Sequence, residues 1–173
     1  HPAIGTESVT THVRVKTDVV SEKVPGFRAV KSVPFKSSIL TCAAMSPLVM
    51  TRLWECKDAV EKHFAVTLKE CEDPQFLRYR EGDFFVAHQD GNTGLLNLDA
   101  EQRLISTVII LSRESEQPEA DAHCGGSLVF SNWPDKFHPP VEPGMLIAFR
   151  SETTHEVTPV THGERYSIAS WYR

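Results

Sequence analysis

The stretch FFVAHQDGNT, Phe84–Thr93, is an apolar strand that ends in an imidazole, one spacer and a carboxylate. Side chains alternate along a strand, so Phe84, Val86, His88 and Asp90 are expected on one face and Phe85, Ala87 and Gln89 on the other. An apolar face finishing in His and Asp makes an odd core and a sensible floor for a metal, since both groups can reach one ion at roughly 2.0–2.2 Å. Iron(II) is often held by two histidines and a carboxylate on one face, with other positions left open. The pair alone is a weak signal: a strand histidine is more often a satisfied core or surface group, and zinc accepts the same donors.

Outward from this stretch, strands dominate. The runs FAVTLKE, QFLRYR, RLISTVIILS, GSLVFSN, GMLIAFR, HEVTPV and RYSIASWYR are short and apolar or alternating, with Gly, Pro, Asn and Asp between them. Many short strands after one or two helices predict a mainly β sandwich or jelly roll with supporting N-terminal helices. Ser46-Pro47 reads as a helix start, with a hydroxyl cap followed by proline at the first helical position. Val49, Leu53, Ala59, Val60 and Phe64 then line one helix face that would cover a sheet. Residues 1 to about 12 read as an arm and 13–20 as a weak strand. One domain over 1–173 is expected, with 1–74 as arm, strands and supporting helix and 75–173 as the core. Two connections of about a dozen residues, GNTGLLNLDAEQ and RESEQPEADAHC, are long enough to be functional.

The net charge of -5 and pI near 5.9 argue against non-specific nucleic-acid binding. The four cysteines, Cys42, Cys56, Cys71 and Cys124, show no spacing of a zinc knuckle or redox pair. Free thiols and a reducing, cytoplasmic setting are expected. No run approaches the roughly 18 apolar residues of a membrane span.

A third ligand must come from further along the chain. His155 is best placed, because it follows the apolar run MLIAF and a short loop and opens a returning strand. His123, His138 and His162 fall in loops or turns, and His12 and His63 are less well placed. Arg165 strengthens the pattern. It lies ten residues after His155 on the last strand, sharing a face with Ser167, Ala169 and Trp171. A buried guanidinium needs an anionic partner, and its planar fork suits a carboxylate held by two hydrogen bonds.

From about Gln75 to Arg173 the chain resembles the prolyl 4-hydroxylase-like branch of the 2-oxoglutarate and iron(II)-dependent oxygenases. The resemblance is carried by RYREGDFFVAHQD, ISTVIILS, CGGSLVF, VEPGMLIAF and HEVTPVTHGERYSIASWYR. It implies a double-stranded β-helix, the distorted jelly roll of that family. It implies Fe(II) bound by His88, Asp90 and His155, with the far carboxylate of 2-oxoglutarate on Arg165, Tyr79 as a further hydrogen-bond donor to it, and Val157 packed beside it. A tyrosine that some members carry on the strand TVIILS is replaced here by Ile109 or Ile110, and a threonine four residues after the arginine by Ala169. Thr107 is the candidate substitute donor.

The implied reaction consumes O2 and 2-oxoglutarate, releases succinate and carbon dioxide, and hydroxylates a C–H bond, with ascorbate as reductant. The expected substrate is a peptidyl residue, proline first. The alternatives are a small molecule such as a free amino acid, and a non-catalytic jelly-roll binding module. Asn92 or Thr93 is expected to hydrogen-bond the outer oxygen of Asp90, and Trp171, Trp133 and Asn92 are candidates for the substrate pocket.

Overall fold

The computed structural model describes residues 14–15, 35–36, 38–40, 45–91, 102–132 and 135–173. The elements in chain order are β1 (Arg14–Val15), β2 (Phe35–Lys36), β3 (Ser38–Leu40), α1 (Ser46–Phe64), β4 (Gln75–Tyr79), β5 (Phe84–His88), β6 (Ile105–Ile110) and β7 (Arg113–Glu114). They continue with β8 (Ala122–Gly125), β9 (Leu128–Asn132), β10 (Asp135–Phe137), β11 (Met145–Arg150), β12 (His155–Val157), β13 (Val160–His162) and β14 (Arg165–Tyr172). A six-stranded sheet runs β1-β11-β6-β14-β4-β3, a five-stranded sheet runs β10-β9-β12-β5-β2, and β13-β8-β7 form a small third sheet. The architecture is the distorted jelly roll that the resemblance implies, one of the two forms the strand pattern allows.

The six-stranded sheet is apolar on both faces, and each face has its own partner. Ile105, Ile109, Leu146, Ile168 and Tyr172 pack against α1 through Val49, Leu53, Val60 and Phe64. On the other face Ile110, Met145, Ile147 and Phe149 meet Leu128 and Phe130 of the five-stranded sheet. Leu53 is fully buried; truncating such a leucine to alanine typically costs about 2–5 kcal/mol. Tyr172 ties sheet to helix, its hydroxyl donating to the Leu53 carbonyl at 2.5 Å.

Three local expectations are corrected. The helix begins at Ser46 itself, after Met45 as cap, with no side-chain cap bond, and Pro47 sits one position inside. Proline is still tolerated there because first-turn amides have no intrahelical acceptor. Cys56, not Ala59, completes the buried stripe of α1. FAVTLKE forms no strand: after a left-handed Ala65 (φ 52) ends the helix, Lys69 and Glu70 donate to the Arg173 carbonyl and Cys71 makes a single bridge to Tyr172.

Candidate metal centre

β5 and β12 are antiparallel neighbours with His88 opposite His155. The next registered pair is Phe85 with Val157, so three residues of β5 span two of β12. This bulge breaks the simple alternation and brings Phe85 to the face of His88, contrary to the even-face reading of Phe84–Asp90. The two rings stack, with centroids 3.8 Å apart and planes 22° apart. Asp90 follows directly. Its amide and that of Gly91 both donate to the Ser151 carbonyl, at 3.0 and 2.9 Å.

His88, Asp90 and His155 thereby place one ligand atom each within 4.8 Å of one another, and they form the one such group among the described residues. His88 Nε2 is 3.3 Å from one Asp90 oxygen, and His155 Nε2 is 3.5 Å from the other. Each histidine turns its opposite nitrogen to a main-chain carbonyl: His88 Nδ1 to Val86 at 2.8 Å and His155 Nδ1 to Thr153 at 3.0 Å. A carbonyl only accepts, so each Nδ1 carries the proton and each Nε2 presents its lone pair to the centre. Phe149 meets the His155 ring edge-on at 4.7 Å.

The charges are set for a cation. Burial pushes the Asp90 carboxyl up, but His155, His88 and a hydrogen bond from the Trp171 side chain outweigh it and hold the group well below the usual carboxylate range. Burial pushes His155 down and favours its neutral, metal-binding form, although Asp90 pulls the other way.

Arg165 opens β14 opposite Tyr79 of β4. It is 3% exposed, its guanidinium lies 5.1 Å from the Tyr79 ring centre, and its Nη1 donates to Ser167 Oγ at 2.7 Å. Burial lowers its pKa, with Tyr79 and Glu114 opposing. Among the described residues no carboxylate lies within ion-pair distance of it. Tyr79, Val157 and Val160 form the buried cluster around it. Gly126 explains the double glycine: at φ +67, a Cβ there would stand 3.0 Å from Arg165 Cδ and 2.8 Å from Val160.

Thus His88, Asp90 and His155 come together as read, and Arg165, Tyr79 and Val157 gather in one neighbouring cluster. Thr107 does not join them. It sits on the helix side of β6 with Ile105 and Ile109, and its hydroxyl donates to the Ser170 carbonyl at 2.9 Å, so it cannot be the substitute co-substrate donor. Trp171 does share the Arg165 face of β14, and it is among the groups that hold the Asp90 carboxyl low. Asn92, Thr93 and Trp133 lie outside the described residues. His138 and His63 are exposed, and His162 stands 3.7 Å from Glu81.

Four contributors went unread or underread. Phe85 is hidden by the bulge. Ser167 was placed on the right face without a task. His123 is 2% exposed beside Gly126, with Nδ1 2.9 Å from the Gly125 carbonyl; its place just before the double glycine was the available signal. Arg103 lies over the Trp171 ring at 3.8 Å.

Residues 74–173 match the family model of the 2OG-Fe(II) oxygenase superfamily. A PKHD-type hydroxylase of Shewanella oneidensis is 33% identical over 103 residues, which is 57% of this chain and 41% of that protein. One from Burkholderia cenocepacia is 31% identical over 130 residues, 73% of this chain and 56% of that protein. The chain therefore spans about two fifths to somewhat over half of the length of these curated relatives. Among solved structures, a Pseudomonas putida prolyl-4-hydroxylase shares the fold with TM-score 0.60 and 23% identity, covering 79% of this chain and 70% of that one. A viral collagen prolyl hydroxylase from Paramecium bursaria Chlorella virus-1 does so with TM-score 0.56 and 21% identity, covering 80% and 79%.

Proposed function

The chain belongs to the 2OG-Fe(II) oxygenase superfamily, and from that premise we propose that it hydroxylates a C–H bond using Fe(II), 2-oxoglutarate and O2, with a peptidyl prolyl residue as the first substrate to test. The observation that carries the reading is the meeting of two Nε2 lone pairs and one carboxylate at a single point, with both Nδ1 protons tied to main-chain carbonyls. Two neutral imidazoles and a carboxylate, with positions left open, suit ferrous iron. Arg165 suits the far carboxylate of 2-oxoglutarate: it is buried, it has a planar fork, and no described carboxylate pairs with it.

When bound, iron and 2-oxoglutarate supply the oxidative chemistry, with succinate and carbon dioxide as co-products and one oxygen atom passed to the substrate. The chain's own work is holding and excluding. His88, Asp90 and His155 would hold the metal. Arg165, bonded to Ser167, would orient the organic co-substrate, and Tyr79, whose ring centre lies 5.1 Å from the guanidinium, would be a further donor to it. Val157, Val160 and the apolar wall of Ile110, Leu128, Phe130 and Met145 keep water away. The substrate must then be held at near-attack distance.

Prolyl substrates are supported by the names of the solved proteins that share the fold. The test is incubation with iron, 2-oxoglutarate, ascorbate and proline-containing peptides, reading succinate release and peptide mass. A gain of one oxygen that requires both iron and 2-oxoglutarate is the expected result. Succinate release with no modified peptide would move the substrate to small molecules, and no succinate under any condition would end the oxygenase reading.

A further inference from the structure

We propose that Phe85 is a positioning residue for the metal: its ring, stacked on the His88 imidazole, fixes the plane of that ligand and favours the electron-poor imidazole that a bound cation creates. The inference rests on the metal reading above and adds to it a residue outside the ligand set.

The stack is close and nearly parallel. The two ring centroids are 3.8 Å apart and the planes differ by 22°. The other histidine is treated differently: Phe149 meets His155 at 65° with centroids 4.7 Å apart, and Phe130 stands 6.2 Å away.

The main chain sets the stack up. Phe85 and His88 are three residues apart, and strict alternation would send them to opposite faces. The bulge between the registered pairs His155–His88 and Val157–Phe85 brings them to one face. Phe85 is half-buried and packs against the cluster of Tyr79, Val157 and Val160. The apolar cluster around Arg165 thus also holds the ring that covers His88.

The stack complements the hydrogen bond of the ligand. His88 Nδ1 is tied to the Val86 carbonyl at 2.8 Å, which fixes the tautomer and one edge of the imidazole. A single hydrogen bond still lets the plane tilt about it. A ring lying on one face opposes that tilt and keeps Nε2 beside Asp90, 3.3 Å from one of its oxygens.

The stack also acts on charge. The face of a phenyl ring is negative and attracts cations. A divalent ion on Nε2 is the largest local charge and draws electron density from the imidazole, leaving that ring partly positive. Phe85 therefore stabilises the metal-bound imidazole more than the free one. A side chain that only filled space would stabilise both alike.

The experiment titrates metal-free protein with Mn(II), a redox-silent probe, by calorimetry, in a series with monofluoro-, trifluoro- and pentafluorophenylalanine in place of Phe85. Fluorine withdraws charge from the ring face while keeping the ring. Mn(II) affinity is expected to fall in step with the fluorine count, by about 2- to 5-fold at the pentafluoro derivative. The same series at Phe137, which is 36% exposed on β10, is expected to bind Mn(II) as wild type does. Phe85→Leu removes the ring and should weaken binding at least as far. NMR of the metal-free protein should show the His88 ring protons moved downfield in Phe85→Leu, because the shielding of a stacked ring is gone. His88→Asn identifies those resonances by their disappearance. If Phe85→Leu does not fold, the fluorinated series, which keeps the ring, carries the test.

Four results overturn the proposal while leaving the metal site intact: constant affinity along the Phe85 series, equal weakening in the Phe85 and Phe137 series, wild-type affinity in Phe85→Leu, or His88 resonances that stay in place in Phe85→Leu. No Mn(II) binding by the wild-type protein overturns it together with the oxygenase reading.

Discussion

His88 and His155 face each other across two antiparallel strands, and their imidazole centres are 4.3 Å apart. Two rings so close, each with Nδ1 given to a carbonyl, leave their remaining lone pairs pointed at the same place as the Asp90 carboxylate. Replacing either histidine with alanine should therefore weaken divalent-metal binding by more than the roughly 10- to 100-fold that follows loss of an outer partner. Calorimetric titration with Mn(II) measures this, and succinate release should vanish in parallel. Wild-type binding in either variant would remove that residue from the ligand set.

On the proposed reading, Arg165 serves co-substrate binding and not metal binding. Truncating one partner of a buried, hydrogen-bonded charge pair costs about 2–5 kcal/mol, so Arg165→Ala should weaken 2-oxoglutarate binding by that amount and leave Mn(II) affinity near wild type. Arg165→Lys keeps the charge but cannot make the planar double contact, and should recover only part of the loss. Titrating 2-oxoglutarate into Mn(II)-loaded protein distinguishes these outcomes.

Glu72 gives a pH signature. Burial pushes its carboxyl up, but the hydrogen bonds from Arg103 and Arg173 outweigh this and leave it below its ordinary value of 4.5. A carboxylate with a depressed folded-state pKa stabilises the fold above its unfolded value, and that stability is lost as pH falls through the folded value. Wild type should therefore melt at a higher temperature than Glu72→Gln at neutral pH, and the gap should close as pH drops below about 4.5. A gap independent of pH would show that the ion pairs add nothing to stability.

Tyr172 tests the helix docking apart from the chemistry. Tyr172→Phe removes the hydroxyl that bonds the Leu53 carbonyl, which keeps its helical bond from the amide four residues on, at a cost of about 0.5–1.5 kcal/mol. Chemical denaturation should record that loss. Mn(II) affinity should not change, because the hydroxyl lies on the helix side of the sheet.

The convergence of His88, Asp90 and His155 was legible because these residues sit at strand ends, where a His-x-Asp pair, a later histidine and an arginine ten residues on have few bland explanations as a group. Thr107 was misjudged for a physical reason. Alternation gives the parity of side chains on β6, but the sheet buries both faces, one under α1 and one in the barrel, so apolar neighbours do not say which face is inner. Trp171 lies on the face of β14 that parity assigns it, and Arg103 covers its ring. Arg103 and Glu72 carried no signal, since charged residues beside loops are mostly solvated and only the folded chain brings them together. Phe85 was missed because a bulge adds a residue on one strand only, and no periodicity announces it.

That bulge makes distance along the chain part of the chemistry. Because three residues of β5 are matched by two of β12, the count between Phe85 and His88 acts as a reading frame for the ligand. Deleting Ala87 would match two residues of β5 to two of β12 and keep Phe85 and His88 on one face by plain alternation, whereas the present count of three without the bulge would turn the imidazole to the outside of the barrel.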